Sequence, residues 1–128
     1  MRIDINKIRI VIIDQIVQES STIRTLIFKD NLCSKSKPGQ FVMVWIPGAE
    51  ELPMSLMWWD KKDYAAITIR KQGYGSTELH NKCKGDMIGI RGPYGNHFKI
   101  KKDYKKVMLI AEGVGLIPLL KLARMLNE

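Results

Sequence analysis

The sequence predicts a mainly β fold: a closed Greek-key barrel of six antiparallel strands that carries one short helix, followed by the first βα unit of an α/β domain. Between residues 8 and 91, six β-prone segments alternate with polar or glycine-containing turns, a spacing typical of barrels. Gly73 and Gly75 separate the fifth strand from a helix-forming segment. Near the end, the continuous apolar run Val107–Ala111 leads into an amphipathic segment, as in a parallel βα unit.

Length and composition indicate a globular protein. With 128 residues, of which 45% are apolar, the chain is long enough for one domain, or for one domain with a piece of another. The apolar stretch near the N-terminus, Ile10–Ile13, is too short to span a membrane, and no signal-peptide pattern precedes it. We therefore expect a cytoplasmic protein with no membrane span.

Cysteine spacing and charge exclude several functions. Cys33 and Cys83 are too far apart for a zinc or iron–sulfur motif, so we expect reduced thiols and no metal site. The net charge is +8, and the basic run Lys99–Lys106 is interpreted first as a solvated link. Nucleic acid binding ranks last, because the three tryptophans lie in apolar runs and not among the lysines.

The first half of the chain contains three predicted strands. Ile8–Val17 and Thr22–Lys29 are β-prone and are separated by a polar break, which predicts an antiparallel pair. Asp30–Gly39 is polar and is interpreted as a connecting turn. Gln40–Ile46 is apolar on both faces, so we expect it to be buried on both.

Three further strands complete the predicted barrel. In the fourth, Pro53–Trp59, a lone serine at position 55 either pairs with a neighbouring strand or belongs to a site. Tyr64–Arg70 alternates apolar with polar residues, as a half-buried strand does. Asp86–Arg91 is the sixth strand, and Gly92–Gly95 ends the barrel.

The glycine turn Gly73–Thr77 precedes a helix candidate, Glu78–Lys84, which Ser76 or Thr77 can cap and Gly85 can end. Glycine lets the backbone approach a ligand closely, and the N–H groups at a helix start suit a phosphate. The alternative is a tight turn with an ordinary cap, since short glycine motifs are common by chance.

The C-terminal segment changes in character. Val107–Ala111 is the expected parallel strand and Leu116–Leu126 the expected helix, with Pro118 in its first turn. The chain is thereby divided into a barrel at 1–102 and an incomplete α/β domain at 103–128. A strand that is apolar on both faces needs parallel neighbours, so we expect either a fragment or a second chain that supplies them.

Six motifs stand in the order and spacing of the ferredoxin reductase superfamily. They are Gly39–Phe41, Pro53–Leu56, Gly73–Thr77, Gly85–Asp86, Gly92–Gly95 and Gly113–Pro118. Six motifs in register are far more specific than one, and they favour the phosphate-binding interpretation of the glycine turn. Over essentially its whole length, the chain most closely resembles the electron-transfer subunits of archaeal two-subunit dihydroorotate dehydrogenases.

This resemblance implies FAD on the outer face of the barrel. Met54 is expected against the isoalloxazine ring and Ser55 near its reactive nitrogen. Ile69 and Arg70 are expected near the ribose and the pyrophosphate, which the glycine turn binds. The expected FAD-binding residues are Pro53, Met54, Ser55, Leu56, Ile69, Arg70, Gly73, Gly75, Ser76 and Thr77. Because the flavin supplies the redox chemistry, no catalytic side chain and no metal ligand is expected.

Two residues depart from the family pattern. Leu52 stands where relatives commonly carry an arginine that neutralises the pyrophosphate, so Arg70, a lysine or the backbone must compensate. Glu112 replaces the first glycine of the nicotinamide-side motif and, with the incomplete second domain, makes NAD binding doubtful. The cysteines that hold the family's [2Fe-2S] cluster are absent from this chain.

The implied function is that of a flavoprotein oxidoreductase subunit, incomplete on its own. It would pass electrons from its hetero-oligomeric partner, the FMN-containing dihydroorotate dehydrogenase catalytic subunit, to an external acceptor in pyrimidine biosynthesis. One alternative is the diaphorase subunit of another oxidoreductase, such as a sulfhydrogenase. Another is a barrel without cofactor that binds an acidic partner or nucleic acid. His80 and His97 are expected in exposed or capping positions, and Tyr94 either beside the flavin or within its turn.

Overall fold

The structure is a computed structural model that describes residues 4–127. Within that range it contains six β strands, three α helices and one 3₁₀ helix. In chain order they are β1 (Arg9–Gln18), β2 (Ile23–Lys29), α1 (Asn31–Ser34), β3 (Phe41–Trp45), β4 (Glu51–Met57), β5 (Tyr64–Arg70), α2 (Tyr74–His80), β6 (Met87–Tyr94), the 3₁₀ helix (Gly113–Leu116) and α3 (Ile117–Leu126).

The six strands close into a barrel in the order β1-β2-β5-β4-β3-β6, and every neighbouring pair is antiparallel. The predicted closed barrel of six antiparallel strands is therefore confirmed. In this ring β2 lies between β1 and β5, and β3 lies between β4 and β6. The β4–β5 pair and the β1–β6 pair consequently lie on opposite sides of the barrel.

Alternate side chains of the strands fill the interior. Ile13, Phe28, Val44, Ile67 and Ile90 come from five different strands, and all are fully buried. Burying one such side chain contributes about 1.5–3 kcal/mol relative to leaving it exposed. This core fixes which residues of each strand face outward.

The prediction that β3 is buried on both faces is wrong. Val42 and Val44 are buried, whereas Trp45 is exposed. A barrel wall is a single layer, so its outer face meets solvent wherever no helix covers it. For the same reason Ile10 and Ile12 of β1 are more than half exposed, at 55% and 58%.

Two helices differ from the sequence prediction. Helix α2 begins at Tyr74 with Gly73 as its N-cap and ends with Asn81 as its C-cap, so neither Ser76, Thr77 nor Gly85 has the predicted capping role. The polar segment after β2 contains the unpredicted helix α1, because the Asp30 carboxylate accepts a hydrogen bond from Cys33 N and caps it.

The last strand and the C-terminal segment also need correction. β6 extends to Tyr94, across a cis Gly92–Pro93 bond. Helix α3 forms as predicted and packs against β4, but Val107–Ala111 is not a strand and pairs with no strand within residues 4–127. Met108 and Ile110 are 82% and 81% exposed. An isolated strand leaves its backbone groups without partners, so apolar composition alone does not make one.

No helix in the described residues has the length and hydropathy needed to cross a bilayer.

An ion pair joins the closing edge of the barrel to α1. Arg9 Nε donates to Asp30 Oδ1 at 2.8 Å, and Arg9 Nη2 donates to Asp30 Oδ2 at 3.0 Å and to the carbonyl of Gly92 at 2.8 Å. Burial alone would raise the pKa of the Asp30 carboxyl, but hydrogen bonds from Arg9 and Cys33 outweigh burial and lower the pKa below 3.8. The pair thus links β1, α1 and β6.

Replacing Asp30 with Asn should lower the free energy of unfolding by about 2–3 kcal/mol at pH 7, because Arg9 loses its counter-charge. The depressed pKa makes this stabilisation present above the unfolded-state pKa of 3.8 and lost as the pH falls through the folded-state value. The difference in unfolding free energy between the native chain and Asp30→Asn should therefore become smaller as the pH falls. Chemical denaturation between pH 7 and pH 3 measures it, with Asp103→Asn, an exposed site, as control. A deficit that stays constant with pH would contradict the role of the ion pair.

Candidate functional site

A cavity of about 220 Å³ opens on the outer face of the barrel, where β4 and β5 meet the glycine segment before α3. It is lined by Pro53, Met54, Ser55, Thr68, Arg70, Gln72, Val114 and Ile117. Four of the residues expected at the site, Pro53, Met54, Ser55 and Arg70, are thereby brought together. The lining combines apolar side chains with hydroxyl, amide and guanidinium donors, a composition typical of ligand sites.

Strand β4 presents the apolar part of this lining. Pro53 is exposed, Met54 packs against the edge of the core, and Ser55 is half-buried. The Ser55 hydroxyl makes no hydrogen bond within residues 4–127, so it is free to bind a ligand. Leu56, also expected at the site, is buried in the core, so only its backbone is available there.

Strand β5 supplies the cationic part. Arg70 is exposed and forms no ion pair in the described residues. Thr68, which sequence reasoning missed, lines the cavity beside it, with Oγ1 at 2.8 Å from Thr25 Oγ1. Ile69 is fully buried in the core. The strand alternation itself places Thr68 with Arg70 on the outer face and Ile69 on the inner one.

The glycine turn follows Gln72, which lines this cavity, and continues into α2. Ser76 Oγ accepts hydrogen bonds from Gln72 N and Gly73 N, both at 2.9 Å, and so closes the turn. Gly75 is buried, whereas Gly73 is exposed. The Ser76 hydroxyl is therefore already engaged within the turn, and the unpaired N–H groups of the first helical turn are the donors left for a ligand.

Glu50 stands against the glycine turn. A Cβ atom at position 75 would overlap the Glu50 carboxylate, so that side chain lies directly against the backbone of the turn. Carboxylate and phosphate repel each other, which opposes anion binding in this arrangement. However, Glu50 is exposed and lies in the turn between β3 and β4, so its side chain can rotate away at small cost.

The glycine segment before α3 forms the remaining wall of the cavity. Gly113 has φ +57°, and Val114 and Ile117 line the cavity. Glu112 is exposed, in extended conformation, and is not among the lining residues. Sequence reasoning noted this segment as a motif without assigning Val114 or Ile117 to the site, because the contact depends on how α3 packs on β4.

Leu52 and Tyr94, two further residues noted in the sequence, contribute to the packing of the barrel. Leu52 is half-buried against the core and pairs with Val44, so a charge there would be partly desolvated. The Tyr94 ring lies 5.9 Å from that of Phe41, and its hydroxyl donates to Asn6 Oδ1 at 2.8 Å. This arrangement belongs to the end of the barrel and does not line the cavity.

The prediction that His80 is exposed or capping is wrong. It is 5% exposed at the end of α2, and neither ring nitrogen has a hydrogen-bond partner in the described residues. Burial, with the nearby charges of Arg24 and Lys71, lowers the pKa of the imidazole. Residues 4–127 contain no group of three His, Cys, Asp or Glu side chains able to hold a metal.

Comparison with curated proteins finds relatives that carry the same name. The chain is 42% identical over 107 residues to a probable dihydroorotate dehydrogenase B (NAD(+)) electron transfer subunit from Methanocella arvoryzae, covering 84% of this chain and 39% of the relative. The protein of the same name from Thermococcus kodakarensis is 36% identical over 116 residues, covering 91% and 46%. The chain thus spans about two fifths of the length of these relatives. No protein-family model matches it.

Solved structures share the fold. An NADH-dependent reduced ferredoxin-NADP oxidoreductase superposes with TM-score 0.82 at 25% identity, covering 91% of this chain and 44% of that one. Phthalate dioxygenase reductase gives TM-score 0.78 at 22% identity, covering 94% and 40%. The flavohemoglobin of Malassezia yamatoensis, solved with bound FAD and heme, gives 0.80 at 21%, covering 93% and 34%.

Proposed function

Over the length it shares with them, the chain belongs to the family of dihydroorotate dehydrogenase B electron transfer subunits, and from this premise we propose that it binds FAD and passes electrons within a larger oxidoreductase. The observation that carries the proposal is the cavity that joins Pro53–Ser55 of β4 to Arg70 of β5 beside the glycine turn. These are the positions at which the family's flavin motifs fall in this sequence.

The lining fits a flavin in its chemistry. Pro53 and Met54 offer an apolar surface to the isoalloxazine ring, and the thioether suits contact with a flat π-system. The Ser55 hydroxyl, which makes no hydrogen bond within residues 4–127, can donate a hydrogen bond to the edge of the ring or accept one from it. When bound, FAD supplies the redox chemistry, while these side chains bind and orient it and exclude water. Leu56 and Ile69 contribute through their backbone, because their side chains fill the core.

Binding of the pyrophosphate of FAD would depend on the backbone of the glycine turn and on a nearby positive charge. The turn follows Gln72 of the cavity lining, so the backbone at Gly73, Gly75, Ser76 and Thr77 would hold the pyrophosphate. Arg70, free of ion pairs within residues 4–127, is the cation that replaces the arginine missing at Leu52. Glu50 must turn away before a phosphate reaches Gly75.

The partner and the path of the electrons follow from the family. We infer a hetero-oligomer with the FMN-containing catalytic subunit, which would deliver electrons derived from dihydroorotate, and an external acceptor that would receive them. The division into a barrel at 1–102 and a nucleotide-binding-like segment at 103–128 belongs to the same proposal. The names of the relatives favour this assignment over a sulfhydrogenase subunit.

A second function has an observation in its favour. Glu50 over the glycine turn and Leu52 in place of arginine both weaken anion binding, and a net charge of +8 suits an acidic partner. A barrel without cofactor that serves as a binding module would have these features.

The visible absorption spectrum of the purified chain, with chromatography of whatever denaturation releases, tests the proposal. We expect a flavin spectrum and released FAD, and tighter binding of added FAD than of FMN, which lacks the pyrophosphate and the adenosine. A colourless protein that binds neither flavin would overturn the proposal and favour the binding module.

Gly75→Ala should weaken FAD binding by about tenfold or more, because a Cβ intrudes where the backbone must approach the pyrophosphate. Thermal stability should hold, since alanine is favoured over glycine in a helix and Glu50 can move aside. Fluorescence titration with FAD measures the affinity. The double variant Gly75→Ala with Glu50→Ala is the control: recovery of affinity in it would mean that displaced Glu50, and not the Cβ, blocks the site.

Leu52→Arg should tighten FAD binding about fivefold if the pyrophosphate passes beside residue 52. The same change should lower the free energy of unfolding by about 1–3 kcal/mol, because residue 52 packs against the core. Leu52→Gln, polar but neutral, is the matched control and should lose stability without gaining affinity. Equal FAD affinity for the Arg and Gln variants would remove that placement of the pyrophosphate.

A further inference from the structure

A second cavity, of about 280 Å³, lies outside the flavin site, between the β4–β5 hairpin, α1 and α3. Three of its walls are aromatic: Trp58, Trp59 and Tyr64. The function proposed above uses none of these residues.

Lys121 of α3 carries a charge in this cavity without an acidic partner. The ammonium donates to Ser36 Oγ at 2.9 Å and to the carbonyl of Ser34 at 3.4 Å, both neutral groups. No carboxylate of residues 4–127 lies within ion-pair distance of it. It is half-buried, and burial lowers its pKa. A partly desolvated cation held only by neutral oxygens is stabilised by any anion that reaches it.

The rest of the wall adds positive charge. Lys35, Lys61 and Lys62 line the same cavity, and Lys61 Nζ lies 4.1 Å from the centroid of the Tyr64 ring. Asp63 is the acidic residue in the lining, and it pairs with none of these lysines. Four lysines against one carboxylate make the cavity attractive to anions.

The aromatic walls and the volume narrow the ligand class. Arg124 of α3 lies over one face of Trp58, 4.5 Å from the ring centroid, and holds that side chain in place. Lys61 covers one face of Tyr64, so Trp59 is the aromatic side chain of the lining on which a ring can stack. The volume, at the low end for ligand pockets, suits a small ligand with a single planar ring and an acidic group.

We propose that this cavity binds an anion in which one planar ring is joined to a phosphate, as in a nucleoside monophosphate, with Lys121 holding the phosphate and the aromatic walls holding the ring. Ile117, which lines the flavin cavity, belongs to the same helix as Lys121. A ligand that fixes Lys121 therefore also restrains α3 at the flavin site. The proposal itself does not depend on FAD.

The test uses uridine monophosphate as the probe, titrated into the purified chain in the presence of excess FAD, by calorimetry and tryptophan fluorescence. Uridine, which lacks the phosphate, and inorganic phosphate, which lacks the ring, are the matched ligands. We expect each to bind about tenfold or more weakly than uridine monophosphate, because each lacks one of the two contacts.

Lys121→Met should weaken binding of the nucleotide at least about tenfold, while Lys121→Arg retains most of the affinity. Lys84→Met, at an exposed lysine outside the cavity, and Gly75→Ala should both bind it as the native chain does. Circular dichroism checks that the variants fold.

Several results would overturn the proposal: no binding of uridine monophosphate, equal binding of uridine, or equal affinity in Lys121→Met and the native chain. Loss of binding in Gly75→Ala would do so as well, since it would place the nucleotide in the flavin site. Binding of an acidic peptide in place of the nucleotide would assign the cavity to a protein partner. A chain that binds the nucleotide but no flavin would contradict the proposed function and leave this site intact.

Discussion

Closure of the barrel is the constraint on which the rest of the structure depends. Each strand has a hydrogen-bonded neighbour on both sides, so alternate residues must point into the core and the others outward. The β1–β6 ladder completes the ring, and Arg9 joins this edge to Asp30 at the start of α1. What one strand presents to a ligand is therefore set by how all six are paired.

The candidate site follows from that pairing. β4 and β5 lie side by side, so Ser55 and Arg70 face the same outer cavity while Leu56 and Ile69 face the core. Gln72, in the turn after β5, lines this cavity, and α2 begins two residues later. Charge at the site is divided between Arg70, which forms no ion pair within residues 4–127, and the Glu50 carboxylate against Gly75. In the proposed function, the strength of flavin binding depends on which of these two charges dominates once the ligand is present.

Local signals predict much of this architecture, and non-local contacts account for the rest. Alternation in Tyr64–Arg70 identifies β5, and it also places Thr68 on the outer face. Val107–Ala111 has the composition of a buried strand but lacks a pairing partner within residues 4–127, and pairing is what makes a strand. Ser76 is a favoured capping residue type, yet its hydroxyl closes the turn and Gly73 is the N-cap of the helix. The approach of Glu50 to Gly75 joins two turns far apart in sequence, so no local pattern reveals it.

Hydrogen–deuterium exchange with and without FAD tests most directly whether the flavin lies across β4, β5 and the glycine turn. The N–H groups of Tyr74, Gly75 and Ser76 start α2 and have no helical partner, so a bound pyrophosphate should slow their exchange. We expect protection of peptides that cover 73–77 and 52–57, and unchanged exchange in β1 on the opposite side of the barrel. Protection confined to β1 and β6, or FAD binding without protection of 73–77, would contradict this account.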